Sequence, residues 1–180
     1  MNHFVQNTLN QERAIKHFMR DYSNKTKDGQ TMQSILAHAG RYYDADRSYI
    51  FEINAQRTKV SNTYEWCQDG VIAKIDNLQN ISTEEMEGWL EILEEKGEFC
   101  ISSLTEEFSP DSETYQLLKP KGIESIAISP LVVKGEAIGF LGVENPRCNK
   151  DHLLLLSVIS STCCIEIANK RLENSKKASE

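Results

Sequence analysis

The sequence predicts one α+β domain, an antiparallel sheet with helices segregated toward the two ends of the chain. Three observations predict it. Apolar residues recur at helical spacing near both ends, they alternate with period two over 47–66, and two further alternating runs flank Lys134-Gly135. The 180 residues are 39% hydrophobic and 26% charged, an ordinary globular balance that can bury one core. No repeat, low-complexity stretch or linker divides the chain.

Asn2–Tyr22 is predicted helical, with Ile15, Phe18, Met19 and Tyr22 on one face. The polar stretch Ser23–Gln30, containing Asp28-Gly29, predicts a turn. A second helix spans Thr31–Tyr43, with Thr31 as N-cap and Met32, Ile35, Leu36, Ala39 and Tyr43 on one side; Gly40 weakens it near its end. The period then changes to that of strands. Tyr49, Phe51 and Ile53 face one way in Arg47–Asn54, and Val60, Asn62, Tyr64 and Trp66 form a second alternating set after a turn at Ala55–Arg57.

Beyond Asp69-Gly70 the chain is irregular, then helical over Glu84–Lys96, where Met86, Trp89, Leu90 and Leu93 share a face and Gly97 is placed to end the helix. Glu98–Leu104 is a predicted strand and Pro110–Leu118 includes a short helix. Ile123–Val133 and Glu136–Glu144 form the clearest hairpin. Gly139 and Gly142 within it imply a close approach to the backbone, and Pro130 implies an edge or a bulge. A long helix over Lys150–Asn174 and a polar tail complete the chain.

The composition excludes several classes of function. A net charge of −7 argues against a nucleic-acid surface. Basic residues gather only at Lys25/Lys27 and at Lys170, Arg171, Lys176 and Lys177, the latter near a helix C-terminus that cations suit anyway. No apolar run reaches the ~20 residues of a membrane span, and Met1–Gln11 lacks the layout of a secretory signal. A cytoplasmic location is the expectation. The five cysteines, at 67, 100, 148, 163 and 164, form no CxxC and have no histidine at ligand spacing, so neither a disulfide framework nor a zinc site is expected.

Three segments resemble the GAF family, and together they cover roughly Thr31–Arg171. They are YDADRSYIFEIN (Tyr43–Asn54), NTYEWCQDGVIAKIDNLQNIS (Asn62–Ser82) and GIESIAISPLVVKGEAIGFLGVENPR (Gly122–Arg147). They occur in the family's order and spacing, similar to bacterial GAF domains upstream of histidine kinases and diguanylate cyclases. The resemblance implies a profilin/PAS-like sheet with terminal helices on one face and inserted helices and loops, about Val71–Lys121, enclosing a small-molecule pocket on the other. Its division of the chain is 1–30, N-terminal helix and turn; 31–148, GAF core; 149–174, C-terminal signalling and dimerisation helix; and 175–180, polar tail.

Within that frame Tyr64, Trp66, Trp89, Phe99 and Tyr115 are the candidate pocket residues, since each combines apolar surface with pocket chemistry. Taken singly, each is better read as plain core packing; taken as a group, some of them are as readily expected to line a cavity as not. The glutamate run 84–95 has the pattern of solvated surface. No cysteine is followed by histidine, so nothing supports a bilin. His3, His17, His38 and His152 fall on or beside the terminal helices, away from the pocket segment, so haem is unsupported, and no metal is expected. Cyclic-nucleotide signatures are absent. A methionine-sulfoxide-reductase-like enzyme, using Cys67 and Cys100, is an outside alternative.

Leu155, Ile159, Cys163 and Ile167 recur at helical spacing on the last helix, and Leu153, Leu154, Leu156, Val158, Cys164 and Ile165 widen its apolar surface beyond one stripe, so a second contact is expected. The resemblance implies that this contact is the same helix of a second subunit; a helix wedged between the sheet and the first helix of one monomer is the alternative. The expectation is therefore a non-catalytic sensory domain, a homodimer, binding an unknown small molecule and feeding a kinase or cyclase output domain. A ligand-free dimerisation module is the alternative.

Overall fold

The computed structural model describes residues 3–25 and 31–178; most of the expected turn at Ser23–Gln30 lies outside them. Six strands, β1 (Arg47–Ile53), β2 (Lys59–Cys67), β3 (Ile81–Ser82), β4 (Phe99–Ile101), β5 (Ile126–Val133) and β6 (Glu136–Glu144), form one antiparallel sheet in the order β3-β2-β1-β6-β5-β4. On one face lie α1 (His3–Lys25), α2 (Thr31–Tyr42) and the last helix, α6 (Leu153–Lys177). On the other lie α3 (Glu87–Lys96), α4 (Leu104–Glu107), α5 (Glu113–Leu118) and the loops joining them. Two apolar cores result, one on each side of the sheet.

Both faces are covered, so β1 is buried at every position except Glu52, which is half-buried. Its alternation sorts Ile50 into the helix-side core and Tyr49, Phe51 and Ile53 into the other. The helix side is closed by α2, whose Ile35, Leu36 and Ala39 are buried, and by α6, whose Leu155, Ile159, Cys163 and Ile167 all face the sheet. Phe18 of α1 is buried as its spacing predicts, whereas Met19 points outward and is 40% exposed. Thr31 is the first residue of α2.

The hairpin of β5 and β6 turns on Lys134 and Gly135, both at positive φ, the type I′ geometry that suits sheet twist. Close approach explains its glycines. A Cβ on Gly142 would sit 2.3 Å from the Tyr49 ring, and one on Gly139 only 2.0 Å from the Phe51 carbonyl oxygen. Pro130 lies past the last residue of β5 that pairs with β4, and a register shift follows at Leu131/Val132, so both an edge and a bulge accommodate it. Gly97 ends α3 at positive φ, as expected.

The last helix starts later than its sequence pattern suggests and runs through Lys177, absorbing part of the expected polar tail. Among the described residues it alone has the length and mean hydropathy of a membrane-crossing helix, and 44% of that window is buried inside the fold. Polar ties bind it to the sheet. Ser129 and Ser160 hydroxyls meet at 2.8 Å, Lys170 donates to the Tyr64 hydroxyl at 2.7 Å, and Arg171 to the Glu52 carboxylate at 2.7 Å. At its start, the Tyr43 hydroxyl donates to the His152 carbonyl and the Tyr42 hydroxyl meets His152 Nδ1, each at 2.6 Å.

Candidate functional site

Between the sheet and its second cover lies a cavity of about 430 Å³, within the range of small-molecule sites. Its floor is aromatic and aliphatic: Tyr49 and Phe51 of β1, Ile126 of β5 and Phe140 of β6, with Phe51 and Phe140 stacked at 5.0 Å. The cover supplies Leu78, Ile81, Met86, Trp89 and the segment Leu117–Ile123. Strand parity aims the floor residues. Positions 47, 49 and 51 of β1 and positions 140, 142 and 144 of β6 share this face, so the charged residues Arg47 and Glu144 are carried there with the aromatic ones.

That placement creates a buried ionic end to the apolar chamber. Arg47 pairs directly with both carboxylate oxygens of Glu144 and approaches Glu65 at 3.5 Å; Arg47 and Glu144 are only 2% and 4% exposed. Glu65 also accepts from the backbone amides of Lys74 and Ile75, which fixes the start of the cover. Lys74 Nζ lies 3.6 Å from Glu144 and donates to the Lys121 carbonyl at 2.6 Å. Burial, with the neighbouring Lys74 charge, holds the Lys121 ammonium below its usual value. Arg47 Nε–H is buried with no acceptor. An unmade hydrogen bond of this kind costs about 1–3 kcal/mol unless a further group supplies an oxygen. The arrangement can therefore hold an apolar molecule with an acceptor at the Arg47 end.

The sequence-predicted residues divide between the two faces. Trp89, 5% exposed, lines the cavity wall. Phe99 packs edge-on against it at 5.4 Å, and Tyr115 belongs to the same apolar cluster, but neither borders the cavity. Tyr64 and Trp66 sit on the opposite face, in the helix-side core. A bulge is the reason. Ile50 pairs with Tyr64 but Phe51 pairs with Asn62, so the extra residue Thr63 reverses the parity of β2. Beyond the bulge, Glu65 and Cys67 face the cavity side in place of Tyr64 and Trp66. Leu155, Ile159, Cys163 and Ile167 are buried in one chain's core, so that stripe is closed to a second helix. Glu85 is exposed, as expected of its run, and also borders the cavity.

Arg47, Glu65, Lys74 and Glu144 escaped the sequence reading. Two carried a signal: a charge at core parity in an otherwise apolar strand, Arg47 with Tyr49 and Phe51, Glu144 with Phe140.

The expectation that nothing supports a bilin is overturned by the solved structures that share this fold. The chromophore-binding domain of an unusual bacteriophytochrome from R. palustris superposes with a TM-score of 0.68 at 13% identity, over 91% of this chain and 62% of that one. The phycoerythrobilin-bound GAF domain of a cyanobacterial phytochrome gives 0.67 at 15% identity, over 91% and 97%. The blue-light-absorbing form of the Thermosynechococcus elongatus PixJ GAF domain gives 0.60 at 15%, over 90% and 94%. This chain thus spans less than two thirds of the R. palustris domain and nearly all of the two GAF domains. The sequence reading missed the link because it looked for a cysteine–histidine pair, whereas the likeness lies in the fold.

The residues present fit part of such a ligand. Apolar walls suit the conjugated body of such a molecule, while at the ionic end Arg47 and Lys74 are already paired with Glu65 and Glu144, so the acceptor-seeking group left there is the Arg47 Nε–H. A thioether anchor does not fit, since none of the five cysteines borders the cavity and burial pushes each thiol up, away from the reactive thiolate. No curated protein sequence matches this chain. The GAF domain family model matches residues 29–167, a span that includes α2, the whole sheet, its second cover and most of α6, and the chain is a member of the GAF domain family.

Proposed function

We propose that this GAF domain is a non-catalytic sensor that binds an elongated, acidic small molecule in the cavity without a covalent bond, and passes its presence to α1, α2 and α6. The carrying observation is the cavity itself: an apolar chamber ending at a buried arginine whose Nε–H lacks an acceptor. A linear tetrapyrrole has the matching chemistry, a conjugated body with carboxylates and carbonyls, and the likeness to bilin-bound GAF domains supports it as the first probe. The route outward is short. Floor strands β5 and β1 carry the Ser129–Ser160 and Glu52–Arg171 ties on their other face, so a ligand that favours one arrangement of the floor biases α6. The α6 residues left for a second subunit are the exposed Leu154, Ile165 and Leu172, and α6 is the element through which a kinase or cyclase output domain would be driven.

Native mass spectrometry of the purified chain with and without biliverdin tests this. The expected result is a homodimer carrying one biliverdin per chain, released on denaturation. Trp89→Ala should weaken binding about tenfold, the upper end of a 0.5–1.5 kcal/mol aromatic contact, while Tyr64→Phe, on the far face, should leave it unchanged. No uptake, or equal uptake by Trp89→Ala, refutes the cavity as the binding site. A complex that survives denaturation refutes the non-covalent mode.

A further inference from the structure

A second cluster, on the other side of the sheet, belongs to neither the cavity nor its ionic end. We propose that His17, Asp21 and His38 form a site for a borderline transition-metal dication, with zinc as the representative ion, which clamps α1 to α2. The proposal does not depend on the ligand cavity.

The ligand atoms of these three residues all lie within 4.8 Å of one another. His17 and Asp21 are one helical turn apart on α1, with His17 Nδ1 3.3 Å from Asp21 Oδ2. A tetrahedral zinc with ligand bonds of about 2.0–2.2 Å separates its donor atoms by about 3.3–3.5 Å. The first edge therefore already has the dimension a bound ion imposes. Shortening the longest separation from 4.8 Å to that edge takes about 1.5 Å, within reach of side-chain rotation.

His38 arrives from the second helix. Its ring lies 5.9 Å from that of His17 and packs edge-on against Phe18 at 5.1 Å, which orients it toward α1. The three side chains border an open groove of about 440 Å³ between the helices, so an ion has access. An ordinary surface pair of His17 and Asp21 accounts for two of these residues. His38 adds a second imidazole to that pair from another helix.

Two neutral imidazoles and one carboxylate favour Zn²⁺, Cu²⁺, Ni²⁺ or Co²⁺ over Mg²⁺ or Ca²⁺, which prefer oxygen. Three protein donors leave a fourth position for water. Arg41 also borders the groove and opposes a cation, and the Asp21 carboxylate offsets it. Because the donors come from both helices, the ion would fix α1 on α2 and so set the position of the N-terminal helix on the domain.

Isothermal titration of the metal-free full chain with Zn²⁺, with Mg²⁺ as the contrasting ion, tests the site. One Zn²⁺ per chain and no Mg²⁺ binding are expected, with affinity falling at least tenfold in His17→Ala and in Asp21→Asn, as much as even outer-shell partners are worth. His17 is exposed, so His17→Ala keeps its fold; His38→Ala removes a ring packed on Phe18 and is read only with a matching far-ultraviolet dichroism spectrum. Zinc should raise the Tm of the wild type and not that of His17→Ala. Cobalt substitution should give a d–d spectrum without a thiolate charge-transfer band. Absence of Zn²⁺ binding, undiminished affinity in His17→Ala, or a thiolate band that places the ion on cysteine would each overturn the assignment.

Discussion

Replacing Glu144 by glutamine removes one charge from a largely buried ionic set, of which only Lys74 is part-exposed, and whose charges otherwise balance. Arg47 and Lys74 bring two positive charges and Glu65 and Glu144 two negative ones, a sum of zero. Glu144→Gln leaves a net +1, most of it on an arginine that is 2% exposed and whose remaining carboxylate partner is 3.5 Å away. Breaking a buried pair from one side costs about 3–5 kcal/mol, because the survivor stays desolvated and uncompensated. With an m-value of about 2 kcal/mol/M in urea, the unfolding midpoint should fall by about 1.5–2.5 M with m unchanged.

Two companions make the number interpretable. Arg47→Met combined with Glu144→Leu should return close to wild-type stability, since removing both charges also removes the desolvation. Glu124→Gln, which breaks the exposed Lys119–Glu124 pair, should leave the midpoint nearly unchanged, because solvent screens an exposed pair. The unpaired cation should also draw an acidic ligand more strongly, so Glu144→Gln should bind biliverdin more tightly. A midpoint shift below about 0.5 M, with the exposed and buried pairs costing alike, would refute the view that this end of the cavity is a dry ionic site.

Gly40→Ala should lower the Tm by about 4 °C: helix propensity favours alanine, but its Cβ would fall 2.0 Å from Trp66 Cζ3, and overpacking of about 1–3 kcal/mol outweighs the gain. A rise in Tm by calorimetry would show that the indole yields freely. Acid should weaken the junction of α2 and α6. Burial holds the His152 imidazole below its usual value, with the Asp151 charge opposing in part, so its contribution is complete above about pH 6.5 and is lost as pH falls from there through the folded value. The slope should reach at most about 1.4 kcal/mol per pH unit, and His152→Gln should remove it from a series of urea titrations between pH 5 and 7.5.

Much of the fold was legible because its signals are local. The stripe Ile35, Leu36, Ala39 on α2, the parity of β1 and the Lys134-Gly135 turn are each decided by a few neighbouring residues, and the tertiary structure keeps them. The covered second face was expected through the resemblance to GAF domains, which assigned the insertion of about Val71–Lys121 to it. Glycines at 139 and 142 announced a close approach without naming what approaches: Phe51 and Tyr49, both on β1.

What the sequence could not decide was the phase and the partner. A single bulged residue, Thr63, turns Tyr64 and Trp66 away from the cavity and brings Glu65 toward it, and its presence is evident only when β2 is paired with β1. Arg47 meets Glu144 across 97 positions of chain because β1 and β6 are neighbours in the sheet. His38 meets His17 and Asp21 because α1 and α2 pack side by side. Periodicity determines which face of an element is apolar. Only the packing of elements distant in sequence decides what that face, or a charge carried upon it, touches.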